Sequence, residues 1–442
     1  MKANITIYRG THQIGGCVTE IQVGDSRIII DFGANLPGNK AVNVLSDEEI
    51  VHKVFPAGNS KAKCEAVLFT HYHGDHYGLY KKVPDGIPMY IGMTAKKILE
   101  IITEKLDYIN EEKGLPKIKK MKKYKIARWK KFADGLEVMP LVVDHSALDA
   151  YMFAIKAGGK KILFTGDFRD HGISSENGTF QEMIKKYVGE IDVLITEGTM
   201  LSRTEEAKKN PIHTEKDLGT EAGKIFRQNH ENVVLVSSTN LDSIMEFYHA
   251  VPKDKAFVCD AYQAKVILTA ICDKQKYYSK YRLDMIGNIP RNFYIVGYMD
   301  GLGEREHCYR ADWKKLKEKG FVMLARANRN PNEEKGLFEK ILDTLDHPTI
   351  IYSMWDGYLK EGHADEALLK FIKGHEDTII KLHTSGHAYV ETIAKLIEMT
   401  NPKTIIPMHT ECADKFKKIK EFADYADRVH VLTDGEKYSI SE

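Results

Sequence analysis

The sequence predicts an α/β protein in which a parallel-sheet domain is inserted into another domain. Three observations carry that prediction. At 442 residues the chain is too long for one ordinary core and suits two. Between residues 201 and 377, continuous apolar runs are separated by amphipathic stretches, the texture of buried parallel strands with helical crossovers. On either side, strands follow one another through short connections, with glycine turns at Gly15-Gly16 and Gly158-Gly159. The division drawn is 1–200, 201–377 and 378–442, the outer two segments forming one domain.

Taken in order, Met1 to Tyr8 alternates like a first strand and lacks the apolar core and cleavage site of a signal peptide. A helix with Ile98, Ile101, Ile102, Leu106 and Ile109 on one face is expected to end at Gly114 and Pro116. In the central segment, Val233–Ser237 leads into a helix opening near Ser238-Thr239-Asn240. Further strands are expected at Ala256–Cys259, Phe293–Val296, Phe321–Leu324 and Thr349–Tyr352. The chain then returns to the first domain through strands at Ile379-Ile380, before His409 and around Val429–Leu432.

Composition describes a globular protein with 43% apolar and 29% charged residues, and no stretch approaches the length of a membrane span. Cys17, Cys64, Cys259, Cys272, Cys308 and Cys412 form no Cys-x-x-Cys pair and suit reduced thiols of a cytoplasmic protein. A net charge of +1 gives no general support to nucleic-acid binding. Lys117 to Lys131 is the local exception, with nine basic residues and no acid, interleaved with Tyr124 and Trp129. It reads either as a solvated loop face or as a phosphate-backbone contact.

The chemistry concentrates between Thr70 and Gly78, where His71, His73, Asp75 and His76 follow the apolar run Ala66–Phe69. Imidazoles and a carboxylate packed this closely stay unsatisfied unless a cation sits among them. In an extended segment His71 and His73 share a face, and a turn at Gly74 swings Asp75 and His76 to a second point. That makes two half-sites for two metal ions. Histidine with carboxylate favours zinc over calcium or magnesium, with manganese open. Other apolar runs end on further ligand types: Asp31, His145, Asp167 and His409. Strand ends suit such work because loops converge there while the sheet stays rigid.

The ordered series Asp31, His71-x-His73-x-Asp75-His76, His145 and Asp167 resembles the motifs of the metallo-β-lactamase fold. Leu194–Thr199 around Glu197, His383–Ala388 and Pro407–Glu411 resemble motifs A, B and C of the β-CASP nucleases within it. Among these the chain looks most like ribonuclease J and the endonuclease subunit of mRNA cleavage and polyadenylation. Motif A departs from the usual pattern in reading Glu-Gly-Thr, and motif C in reading His-Thr-Glu. The chain also stops about thirty residues after motif C, where ribonuclease J usually carries a domain that aids dimer formation; a homodimer is left open.

The resemblance implies a metallo-β-lactamase αββα sandwich with an inserted parallel-sheet β-CASP domain. It assigns one ion to His71, His73 and His145, the other to Asp75, His76 and His409, with Asp167 bridging and Asp31 supporting the His cluster from behind. It makes His387 the proton donor to the leaving oxygen, oriented by Glu197, and His383, Ser385 and Gly386 a phosphate pocket with backbone N–H groups including that of Ala388. The implied activity is hydrolysis of single-stranded RNA by a two-metal-activated hydroxide, internally, from the 5′ end, or both. A small-molecule or DNA hydrolase on the same sandwich, and a non-catalytic RNA-binding subunit, are the alternatives.

Overall fold

Runs of Ile, Val, Leu and Phe build twenty strands in three sheets among the described residues. The computed structural model describes residues 2–36, 45–58, 62–109, 112–173, 175, 179–271, 292–330, 332–360 and 364–440. They divide into two compact units. Unit 1 is Met1–Asp170, Ser174–Lys209 and Gly386–Glu442; unit 2 is His171–Ile173 and Asn210–Ser385. Cys272 lies outside the described residues, as does the side chain of Ile109.

Unit 1 holds two sheets. Its strands, numbered in chain order, are β1 (Ala3–Arg9), β2 (Val18–Val23), β3 (Ser26–Ile30), β4 (Lys63–Leu68), β5 (Met89–Ile91), β6 (Lys122–Lys123), β7 (Lys130–Ala133), β8 (Leu136–Val143), β9 (Ala150–Ala157), β10 (Lys160–Phe164), β11 (Val193–Glu197), β19 (Thr404–Met408) and β20 (Lys437–Ser439). The first sheet runs β20-β1-β2-β3-β4-β5-β6 and the second β19-β11-β10-β9-β8-β7. Every residue of β11 is buried, as a strand covered on both faces requires. The parallel seam β10-β11-β19 sets Glu197 opposite Met408, so residues far apart in sequence finish at one edge.

Unit 2 is a seven-stranded sheet ordered β15-β14-β13-β16-β12-β17-β18, with every pair parallel. The strands are β12 (Glu231–Val236), β13 (Ala256–Asp260), β14 (Phe293–Val296), β15 (Cys308–Arg310), β16 (Phe321–Ala325), β17 (Thr349–Ser353) and β18 (Ile380–Lys381). Its core packs Val233, Phe321, Met323 and Ile350 against Phe338, Leu368 and Phe371 from the covering helices. Asn240 caps the helix Leu241–Ala250 by accepting from Ser243 N.

Three expectations are corrected. The strand at Ile379-Ile380 does not return to the first domain: Ile380 and Lys381 pair in parallel with Ile351 and Tyr352 at the edge of unit 2. Two apolar residues say that a strand exists but not which sheet it joins. The helix Met93–Ile109 buries Ile98 but leaves Leu106 42% exposed on its last turns. Gly114 and Pro116 do not end it; they open a second short helix, Leu115–Lys120, with proline in its first turn, where its missing N–H costs nothing. The basic run is therefore a loop only over residues 124–129. It supplies this helix and then β6 and β7, one edge strand of each unit 1 sheet. Exposed lysines on edge strands block pairing with other chains.

Candidate metal centre

The ligand-type residues all follow strand ends of unit 1. Asp31 comes directly after β3, and His71 after β4. His145 follows β8, Asp167 follows β10, and His409 follows β19. The His cluster is not itself extended. The strand stops at Leu68, and His73 caps a single helical turn, Gly74–Tyr77, that presents Asp75 and His76. Gly33 lies so close to this turn that an added Cβ would stand 1.7 Å from the Asp75 carbonyl oxygen. Only glycine fits there. Asp31 and His409 take left-handed backbone, φ 59° and 51°, where the chain turns off its strand.

One oxygen sits at the centre. Asp167 Oδ2 lies 3.1 Å from His76 Nε2, 3.8 Å from His409 Nε2, 3.9 Å from His71 Nε2 and 4.0 Å from His145 Nε2. Asp75 Oδ2 is 3.4 Å from His409 Nε2 and 3.7 Å from His76 Nε2. His145 Nε2 and His73 Nδ1 are 3.3 Å apart, close to the ~3.4 Å expected for two nitrogens on one tetrahedral ion.

The opposite ring nitrogens are held by acceptors. His76 Nδ1 donates to Asp31 Oδ2 at 2.8 Å, and His145 Nδ1 to the Gly386 carbonyl at 2.6 Å. Thr199 Oγ1 donates to the His409 carbonyl, so its contact with His409 Nδ1 at 2.7 Å has the imidazole as donor. By the same logic Thr70 Oγ1, which donates to Asp31, accepts from His71 Nδ1 at 3.0 Å. With the proton on Nδ1 in each ring, four Nε2 lone pairs face one carboxylate oxygen. His71 Nε2 and His76 Nε2 are buried with no hydrogen-bond partner. Lone pairs and carboxylates repel across such a space unless positive charge fills it, so the donor set fits a divalent cation.

The titration behaviour agrees. Burial drives His71 and His145 well below the ordinary imidazole value and brings His73 down to about 4, so they stay neutral and able to ligate. At His76 burial also opposes charge, but the carboxylates of Asp167, Asp75 and Asp31 override it and push the pKa well up. Without a cation these carboxylates draw a second proton to His76 Nε2; a bound ion would supply that positive charge instead and leave the lone pair free to ligate. Burial, with Asp167, Asp75 and Asp31, pushes the Cys17 thiol up.

Beside this centre, His387 Nδ1 is 3.1 Å from Glu197 Oε2 and 3.6 Å from Asp167 Oδ2. Burial disfavours its charge, but Glu197 and Asp167 outweigh that and raise its pKa. Glu197 Oε1 also accepts from Phe168 N and from Ala388 N, so the Ala388 N–H is engaged inside the protein. The structure thus brings Asp31, His71, His73, Asp75, His76, His145, Asp167, Glu197, His387 and His409 together. His383 and Ser385 belong to unit 2, where Asn210 Nδ2 donates to the His383 carbonyl and His171 Nε2 lies 2.8 Å from the Ser385 carbonyl. Gly386, in unit 1, contributes its carbonyl to His145.

Thr70 and Thr199 are the residues whose task the sequence did not disclose. Both stand inside recognised motifs, and a hydroxyl beside a candidate ligand was the available signal. The buried pair Arg169 Nε–Asp144 Oδ1, 3.0 Å, ties the loop carrying His145 to the one carrying Asp167.

Comparison with known proteins places this arrangement. Residues 27–236 match the beta-lactamase superfamily domain, and residues 376–432 match the Zn-dependent metallo-hydrolase RNA specificity domain. Together with the relatives below, these two matches support a metallo-β-lactamase, β-CASP ribonuclease J-like protein. Ribonuclease J of Helicobacter pylori strain ATCC 700392 / 26695 is 25% identical over 258 residues, 56% of this chain and 34% of that protein. The match therefore spans about a third of that relative's length. Ribonuclease J of Mycoplasma pneumoniae is 22% identical over 429 residues, covering 92% of this chain and 68% of the relative. The fold is shared with the crystal structure of a protein of unknown function from Enterococcus faecalis V583, at TM-score 0.75 and 20% identity, covering 99% of this chain and 100% of that one. Among the described residues no helix is long and apolar enough to cross a membrane.

Proposed function

We propose that the chain is a divalent-metal-dependent ribonuclease that hydrolyses RNA phosphodiester bonds and leaves 5′-phosphate and 3′-hydroxyl ends. The observation that carries this reading is Asp167 Oδ2, faced by four imidazole Nε2 atoms at 3.1–4.0 Å, with His387 beside it. His71, His73 and His145 would hold one ion and Asp75, His76 and His409 the other, with Asp167 available to both. Zinc suits this donor set best, with manganese next. When bound, the ions supply the Lewis acidity that makes water nucleophilic at neutral pH.

The remaining steps fall to the chain. Asp31, Thr70, Thr199 and the Gly386 carbonyl fix the tautomer and angle of the His76, His71, His409 and His145 rings. Glu197 holds His387 at Nδ1 and favours its protonated form. The proton on the opposite nitrogen then goes to the leaving 3′ oxygen. RNA as substrate is supported by the match of residues 376–432 to an RNA specificity domain and by the ribonuclease J relatives.

End-labelled single-stranded RNAs bearing a 5′-monophosphate or triphosphate, incubated with each divalent ion, provide the test. Cleavage should require zinc or manganese and yield 5′-phosphorylated fragments, whose sizes separate internal cuts from stepwise loss at the 5′ end. Cleavage that survives chelation would overturn the proposal. So would a metal-loaded protein that leaves RNA intact while hydrolysing DNA or a small ester.

A further inference from the structure

Cys17 is fully buried and sits at the second half-site, outside the ligand set given above. Its Sγ and one ring nitrogen each of His76 and His409 lie within 4.8 Å of one another. His76 Nε2, buried and without a hydrogen-bond partner, faces the same space from the Asp167 side. The backbone holds the thiol in place. Cys17 N donates to the Asp75 carbonyl at 2.9 Å, and Gly33 N donates to the Cys17 carbonyl at 3.0 Å. Arg9, also fully buried, clamps the preceding turn by donating from Nε to the Gly16 carbonyl at 2.8 Å and from Nη2 to the Gly33 carbonyl at 2.6 Å. A side chain this constrained, one peptide hydrogen bond away from the Asp75 turn, has no alternative location when an ion arrives.

We infer that Cys17 is a sulfur ligand to the ion held by Asp75, His76 and His409, which makes that half-site selective for thiophilic ions such as zinc and cadmium over manganese. This rests on the two-ion reading of the site. Binding exchanges the Cys17 S–H proton, released to solvent, for an Sγ–metal bond. Thiolate donors discriminate between ions far more sharply than imidazole or carboxylate, so one sulfur changes the preference of a whole site.

The test is spectroscopic. Metal-free full-length protein is titrated with cobalt(II), which gives visible d–d bands with nitrogen and oxygen donors and an added near-ultraviolet charge-transfer band with thiolate. Wild type should show both, and Cys17→Ser should keep the visible bands and lose the near-ultraviolet one. The cadmium-over-manganese affinity ratio should fall by about tenfold or more in the variant. Should Cys17→Ser not fold, cadmium NMR of wild type decides alone, since sulfur ligation moves the resonance far downfield. Visible bands without a charge-transfer band, or a band that survives Cys17→Ser, would overturn the thiolate and leave the two-ion site standing. No cobalt uptake at all would overturn the two-ion site itself, and this inference with it.

Discussion

The strand ends of the two units handle buried charge in opposite ways. In unit 2, Asp260 gives Oδ2 to Arg326 Nε and Nη2 at 2.8 and 2.7 Å and Oδ1 to Gln263 N. Glu215, fully buried at the start of the helix Glu215–Gln228 rather than at a strand end, likewise accepts from Ser243 Oγ and from Thr384 Oγ1. Each of these carboxylates meets donors suited to it. At the corresponding ends in unit 1, four carboxylates (Asp31, Asp75, Asp167, Glu197) and six imidazoles crowd together, and His71 Nε2 and His76 Nε2 are left without a hydrogen-bond partner. The difference teaches that burial alone does not mark a working site. What marks it is polar groups whose mutual arrangement makes sense only with something added.

This contrast can be broken experimentally, and the largest effects belong to unit 1. Asp167→Asn, Asp75→Ala or His76→Ala should abolish RNA cleavage and reduce bound metal, measured by elemental analysis, while circular dichroism stays native. Retained cleavage in any of them would remove the two-ion mechanism. Next, His387→Ala should slow the chemical step by roughly 10²–10⁴-fold, with a smaller loss on a substrate whose leaving group needs no proton. Because Glu197 and Asp167 raise the His387 pKa, the protonated acid persists above the ordinary value of 6.5. Activity should therefore fall as pH rises through the raised value, and Glu197→Gln should move that alkaline limb to lower pH.

Smaller effects sharpen the comparison from both sides. Asp31→Ala leaves the ligands in place but frees His76 Nδ1 and the Thr70 turn, so metal affinity should drop by about 10–100-fold by calorimetry. Arg326→Ala in unit 2 should leave metal affinity unchanged and cost about 1–2 kcal/mol of stability in denaturant melts. Solvent reaches that guanidinium, which keeps the cost at the low end. Last, reversing charge across Lys119 to Lys125 should weaken RNA binding in a salt-dependent way. If affinity holds while self-association rises, the run serves only to guard the sheet edges.

The parts legible in the sequence were those fixed by local pattern. The run of His71, His73, Asp75 and His76 after an apolar strand announced a metal cluster, and the parallel sheet of unit 2 showed in its continuous apolar runs. What stayed hidden depends on partners far along the chain. Nothing near Gly386 says that its carbonyl orients His145, 241 residues earlier in sequence. Nothing near Thr199 says that it holds His409. Cys17 read as an ordinary core thiol because its neighbours come from β19 and the Asp75 turn. The basic run stays open to two readings for a related reason, since edge strands and phosphate contacts call for the same residues.

The seam between β11 and β19 carries a consequence for how the molecule is made. A ribosome delivers His71 to Asp167 early, but His409 emerges only after all of unit 2. Amino-terminal regions organise first during synthesis, yet the last imidazole of the pair cannot arrive with them. A truncated or half-synthesised copy therefore carries an unfinished ligand cluster, with Asp75 and His76 in place but His409 missing.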